Sequence, residues 1–320
     1  MNFSKDLQYP KVSIVIPVYN GSNYMREAID SALVQTYKNV EVLVINDGST
    51  DKGASREIAL SYGERIRYFE KLNGGITTAL NLGIREMRGE YFSWLSHDDV
   101  YYPDKIEKQI EYLRQQDKKD IILYSDYDLI DNDSKYIRAC KVQHVEPFRI
   151  CLLSSWPVNG CSTLIKKSIL YDIGFFDENA KYSQDYYLWF KLAKKYEFVH
   201  LPECLIKSRI HDDQGTLMFY DEAHVEIEMM YRSFIDILFL EENIYNLTNN
   251  KEYIINGLKM KNHINLIVYF LDSLIRNQKL KKSKVTEIKI EELKYIYLII
   301  KIKFISSLVS MKKRFFNLNL

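Results

Sequence analysis

No run of 18 uninterrupted apolar residues occurs in this 320-residue chain; the nearest, Tyr295 to Met311, is broken by Lys301 and Lys303. No segment therefore reads as a membrane-spanning helix. The four cysteines, Cys140, Cys151, Cys161 and Cys204, show no C-x-x-C spacing and no obvious pairing. That argues against a disulfide framework and for a reducing, cytoplasmic setting. The polar stretch from Met1 to Pro10 lacks the basic and then apolar order of a signal peptide. Neither a G-x-G-x-x-G after the first strand nor a G-x-x-x-x-G-K-[ST] is present, so dinucleotide oxidoreductases and P-loop proteins lose their usual support. Internal repeats and low-complexity tracts are also missing.

What is there is an ordinary globular composition, 47% hydrophobic and 27% charged, long enough for one large domain or two smaller ones. The 25 tyrosines exceed what folding alone requires, and such rings stack well on bases and sugar faces. A net charge of +1 hides an asymmetry: between Arg276 and Leu320, 12 lysines and arginines stand against 3 glutamates. The tail is basic and the body acidic, so each is expected to meet a different partner. No nucleic-acid partner is expected. A basic amphipathic tail can lie on an anionic membrane face, here the inner face of the plasma membrane. It can equally be the solvated face of a helical bundle or a homo-oligomer contact.

Short, nearly continuous apolar runs at Val12–Pro17 and Val40–Ile45 have the pattern of strands covered on both faces of a parallel sheet. The segment from Asn23 to Thr36 between them reads as a helix, which makes a β-α-β unit. Helices at Ala54–Tyr62 and Thr77–Met87 and strands at Ile66–Phe69 and Tyr91–Leu95 continue the alternation. The first hundred residues are thus α/β, and open sheets of this kind bind ligands at the C-terminal strand edge. Residues 1–216 are expected to form one domain, with a nucleotide-binding half (1–119) and an aromatic-rich acceptor half (120–216). Residues 217–320 are read as mostly helical.

The most informative run is Trp94-Leu95-Ser96-His97-Asp98-Asp99, in which an apolar strand delivers two adjacent carboxylates to the sheet edge. Such neighbours repel, and keeping both ionised favours a hard cation, Mg2+ or Mn2+, that can also hold a diphosphate. The alternative is that they cap a helix from Pro103 to Arg114. Asp47, in Asn46-Asp47-Gly48-Ser49-Thr50-Asp51, can accept from a base N–H or a ribose hydroxyl, or simply shape a turn; Asp51 reads as a helix cap. Tyr19, after Pro17 and before Asn20, can stack on a base. Asn73-Gly74-Gly75 lets backbone approach a nucleotide at a helix start. Asp185, in Gln184-Asp185-Tyr186-Tyr187-Leu188-Trp189, opens an amphipathic helix as an acid with chemistry or as a cap. In Ser208-Arg209-Ile210-His211, His211 can ligate a metal or touch a phosphate and Arg209 can neutralise one, unless the segment is a plain surface loop.

Taken in order, Ile-Pro-Val-Tyr-Asn, Asn-Asp-Gly-Ser-Thr-Asp, Asn-Gly-Gly with Ala79-Leu80-Asn81-Leu82-Gly83, Ser-His-Asp-Asp, Gly174-Phe175-Phe176-Asp177-Glu178 and Gln-Asp-Tyr-Tyr-Leu-Trp resemble the family 2 glycosyltransferases. The resemblance runs from about Val12 to Thr216. It implies a GT-A fold, a Rossmann-like and mostly parallel sheet flanked by helices, here with a helical C-terminal extension. It further implies inverting transfer of one sugar from a nucleotide-diphosphate sugar, with uracil as the base, to a glycan or lipid-linked acceptor, as in bacterial surface polysaccharide synthesis. By the same resemblance Tyr19 and Asp47 fall in the nucleotide pocket, Asp98 and Asp99 match the region that binds ribose and the Mn2+ or Mg2+ ion, and Asp185 matches the general base. Pro17, Asn20, Asn73 and Gly75 join the expected donor pocket, and His211 the expected metal set, by their position at the strand ends and their chemistry. Two departures stand out: Ser96 and Gln184 occupy places where many relatives carry Asp and Glu. The chain also lacks the Q-x-x-R-W motif of processive synthases. A sugar-nucleotidyltransferase or an inactive sugar-nucleotide binding module are the competing readings.

Overall fold

A computed structural model describes residues 9–211, 214, 218–242, 247, 249–260 and 264–280. The described residues fall into two compact units. One runs up to His144 and resumes over Trp156–Ala223; the other joins Val145–Ser155 to the chain from His224 onward. The helical C-terminal region thus shares its unit with a short segment drawn from the middle of the chain.

In the first unit, β1 (Val12–Val18) is buried along its whole length, as its unbroken apolar run requires. It pairs in parallel with β2 (Val40–Asn46) from Val12↔Val40 to Val18↔Asn46 and with β4 (Tyr91–Trp94) from Val12↔Tyr91 to Val15↔Trp94. β3 (Arg67–Glu70) extends the sheet beside β2 in parallel, and β8 (Ile165–Lys166) closes the other edge antiparallel to β4. The order is β3-β2-β1-β4-β8. Helices α1 (Met25–Leu33), α2 (Ala54–Leu60) and α3 (Ile76–Glu86) form the crossovers. Because the four long strands run the same way, the loops after each of them gather at one edge.

A second sheet, ordered β5-β9-β6-β7, is built from β5 (Val100–Tyr101), β6 (Ile121–Ile130), β7 (Tyr136–Cys140) and β9 (Glu197–Arg209). β6 is much longer than its apolar start at Ile121–Tyr124 suggests, since Ser125, Asp126 and Asp128 are buried within it. β5 lies antiparallel to β9 with Val100 opposite Lys207 and Tyr101 opposite Ile206. This short pairing places Asp98 and Asp99, the residues just before β5, beside the end of β9. Helix α4 (Lys105–Gln115) follows with Asp104 at its N-cap, so the Asp98-Asp99 pair precedes a strand and does not cap this helix. Helices α6 (Lys167–Ile173) and α7 (Gln184–Leu192) complete the unit. Leu188, Trp189 and Leu192 of α7 are buried, as an amphipathic helix demands.

The second unit is helical. α5 (Phe148–Ser154) packs on α9 (Lys251–Met260), which also meets α10 (Ile264–Leu280). Arg149 of α5 is buried and pairs with Glu241 at 2.9 Å, at the end of α8 (Tyr220–Glu241), and with Glu242 at 3.4 Å. Among the described residues no helix is long and apolar enough to cross a membrane. The basic stretch beyond residue 280, expected as a membrane or oligomer contact, lies outside the described residues.

Candidate active site

The first two strand-end loops are tied to one another. Asn20, in a left-handed conformation (φ 52°), donates its backbone N–H to Ser49 Oγ at 2.9 Å, and its Oδ1 accepts from the Thr50 N–H at 2.7 Å. Asn20 is therefore a cross-link between the two loops that carry Tyr19 and Asp47. Tyr19 beside it is 46% exposed and Pro17 is buried in β1, so of this trio the tyrosine ring is the part open to a flat ligand. Asp51 accepts from the Ser55 N–H at 3.0 Å and serves as the expected cap of α2.

Asp47 is held by its own neighbours in this structure. Its carboxylate is nearly sealed and holds three donors: Lys71 Nζ at 2.5 Å, the Gly74 N–H at 3.1 Å and the Gly75 N–H at 2.7 Å. Lys71 Nζ also reaches Thr78 Oγ1 at 2.8 Å. An acid with three donors satisfied in a buried pocket organises a loop. Asp47 thus shapes the Lys71–Gly75 turn, with Asn73 exposed on it and Gly75 (φ 87°) at the N-cap of α3, and does not offer its oxygens to a ligand in this conformation.

The two adjacent aspartates take opposite roles. Asp98 Oδ2 lies 3.0 Å from His211 Nε2. Burial acts to raise the Asp98 pKa, but the His211 hydrogen bond and the neighbouring His97 outweigh it and hold the carboxyl below its usual range. Asp99 turns inward, accepts the Arg209 N–H at 2.9 Å, and is pushed well above the usual carboxylate range by burial and by the charge on Asp98. Among the described residues no three His, Cys, Asp or Glu side chains are grouped to hold a metal ion. Of the three residues expected to hold the ion, Asp98 and His211 are brought together, while Asp99 accepts the backbone N–H of Arg209 in β9.

Arg209 is the largest surprise. Read as a loop residue available to a phosphate, it is instead the last residue of β9 and is fully buried. Its guanidinium donates to the carbonyls of Asp98 (2.8 Å) and Asp131 (3.0 Å), to Ser134 Oγ (2.9 Å) and to Glu27 Oε2 (2.6 Å), and it lies over the Tyr24 ring. One side chain thereby fastens the Asp98 loop, the 131–134 turn and α1 together. His97, which sequence reasoning passed over, packs against Gly21 so closely that a Cβ there would lie 2.5 Å from its Cδ2. Burial holds its imidazole below the usual range, in the neutral form.

Asp185 sits in the first turn of α7, partly exposed. Burial of the carboxyl pushes its pKa up to about 6, with only the N–H groups of Tyr186 and Asp185 itself working against that rise. Gln184 contributes no charge to this balance, and its Oε1 is buried without a partner among the described residues. The approach to α7 is set by α3: Asn81 Nδ2 donates to Phe176 O at 3.0 Å and to Glu178 Oε1 at 2.9 Å, Asn81 Oδ1 accepts the Phe176 N–H, and Thr77 Oγ1 donates to Ala180 O at 3.0 Å. Two motifs that are far apart in sequence are thus one mechanical unit.

The family model described as Glycosyl transferase family 2 matches residues 13–174. The chain belongs to this family. An uncharacterized glycosyltransferase of Rickettsia typhi is 50% identical over 240 residues, covering 73% of this chain and 74% of that one. Another from Rickettsia felis is 49% identical over 241 residues, covering 73% of this chain, which spans 40% of that relative's length. Among solved structures, Staphylococcus aureus TarS 1–349 in complex with UDP-GlcNAc superposes with a TM-score of 0.61 at 17% identity, covering 84% of this chain and 83% of that one. The architecture is the GT-A fold. In this family setting, Lys71 and His97, which the sequence reading passed over, and Arg209, which it read as a loop residue, are the ones that hold the strand-end loops in place. For Arg209 the available signal was its position two residues before His211; nothing local distinguished a buried strand end from a surface loop.

Proposed function

We propose that this glycosyltransferase is inverting and non-processive, moving one sugar from a UDP-sugar to a hydroxyl of a glycan or lipid-linked saccharide with Asp185 as general base. The observation that carries the reading is Asp185 itself: a desolvated carboxyl at the start of α7 with its pKa near 6. Such a group is ionised at pH 7 yet more basic than an exposed aspartate. It would take the proton of the acceptor hydroxyl as that oxygen bonds to the anomeric carbon and the bond from that carbon to the diphosphate breaks. Attack from the face opposite the leaving group inverts the centre, and no covalent enzyme intermediate is required.

Asp98 Oδ2 and His211 Nε2, 3.0 Å apart, suit two donors to one Mn2+ or Mg2+ ion. When bound, that ion would neutralise charge on the departing diphosphate. Arg209 and His97 keep the loop that carries Asp98 in position, and exposed Tyr19 offers a ring for the base. A UDP-sugar is favoured because the TarS structure holds UDP-GlcNAc.

The test is thermal stabilisation of the full chain by UDP, UDP-sugars, GDP and GDP-mannose, each with Mn2+, Mg2+ or chelator. A ligand at 100 times its Kd adds about 2.7 kcal/mol, a readily measured shift. The expected result is a UDP shift that chelator abolishes. If no nucleotide shifts the transition, the donor site is refuted.

A further inference from the structure

Of the three tryptophans in the chain, Trp94 and Trp189 are buried, whereas Trp156 is 42% exposed. It is not a loose surface ring. Its indole packs on Tyr186 with centroids 4.8 Å apart and planes at 39°, and Tyr186 is itself 1% exposed in the core of α7. Tyr186 is the residue after Asp185, and its N–H donates to Asp185 Oδ1 at 2.9 Å. The exposed indole is therefore braced on the residue that follows the carboxylate read as the base. Indole is rigid, polarisable and amphipathic, and covering such a ring gains area at little entropic cost.

We propose that Trp156 is the platform for the acceptor sugar: the apolar face of a pyranose ring lies on the exposed indole, which directs one of that sugar's hydroxyls toward Asp185. This rests on the glycosyltransferase reading above and adds to it that the acceptor saccharide is held by the face of its ring on Trp156. A fixed ring beside a fixed base presents one hydroxyl and withholds the others, so Trp156 is a specificity-determining residue for linkage position.

The spectroscopy of the chain supplies the test, because only Trp156 is open to a quencher. Acrylamide quenching of tryptophan emission is measured on the full chain with UDP and Mn2+. Methyl glycosides of glucose, galactose, mannose, N-acetylglucosamine and rhamnose are added in turn, each up to its solubility limit. We expect at least one of them to lower the Stern–Volmer constant about twofold, as cover of a half-exposed ring should. That protection should vanish in Trp156→Phe, which keeps a ring on Tyr186 and should keep the UDP thermal shift. If UDP stabilises the chain and no glycoside protects the indole, the platform is overturned while the donor site stands. Protection by phosphatidylglycerol vesicles and by none of the glycosides overturns it as well and assigns the ring to lipid. Failure of UDP to stabilise the chain removes the transferase reading and the platform together.

Discussion

At the strand-end loops, Asp47 and Asp99 are nearly sealed and already bonded, Asp47 to Lys71, Gly74 and Gly75 and Asp99 to the backbone of Arg209. At the start of α7, Asp185 is partly exposed and met by backbone N–H groups alone, and its pKa rises to about 6. The same side chain serves two ends. Where neighbouring donors take its oxygens, as at Asp47 and Asp99, a carboxylate holds loops together; where burial raises its pKa and only backbone N–H groups meet it, as at Asp185, it is suited to act as a base. Asp98 stands between these cases, ionised and held by one histidine.

This contrast can be broken by experiment. The largest effect is expected from Asp185→Asn, which should lower transfer by about 10³- to 10⁴-fold, roughly 4–5.5 kcal/mol. The UDP-dependent thermal shift should remain, and a variant that still turns over at a tenth of the wild-type rate would remove Asp185 from the chemistry. Next comes Arg209→Met, which strips donors from buried carbonyls and takes from Glu27 its cation, leaving it the Ser134 hydroxyl. A loss of about 3–5 kcal/mol in urea-induced unfolding is expected, and Arg209→Lys should recover little of it, because an ammonium cannot span the fork. A near-neutral Arg209→Met would mean that the three segments hold together without their rivet.

Smaller effects sharpen the picture. A Cβ at Gly160 would lie 2.3 Å from the Trp94 ring, so Gly160→Ala should cost about 1–3 kcal/mol through overpacking, read by thermal melting together with the Trp94 emission. At the base, activity should fall as pH drops through about 6, because protonated Asp185 cannot accept the hydroxyl proton. Gln184→Glu adds a like charge beside it and should raise that limb by about one pH unit, near 1.4 kcal/mol. A pH–rate profile that does not move would show that Asp185 is insulated from its neighbour.

How much of this was legible depended on whether the cause was local. The apolar runs of β1 and β2 carry their own explanation, as does the spacing of Leu188, Trp189 and Leu192, and these elements match their expected positions within a residue or two at most ends. Asp51 as a cap was legible too, because its partner is four residues away. The internal partners of Asn20 and Asp47 were not legible, because they come from loops 24 to 30 residues distant. Arg209 was misread for the same reason, its partners lying 75 to 182 residues away.

By itself, the sequence determined the α/β alternation, the strand edge where polar loops collect, the family, and the short set of acids worth testing, since each follows from hydrophobic period or from a motif of neighbouring residues. Only the tertiary structure decided which acid of the Asp98-Asp99 pair faces a histidine and which is tied inward. It also decided that Arg209 is a buried fastener and that an exposed indole packs on Tyr186, the residue after Asp185. Those outcomes rest on the antiparallel pairing of β5 with β9 and on the packing of Trp156 against α7. Burial and hydrogen-bond partners are set by where distant chain segments meet, and that is what gives identical carboxylates different surroundings.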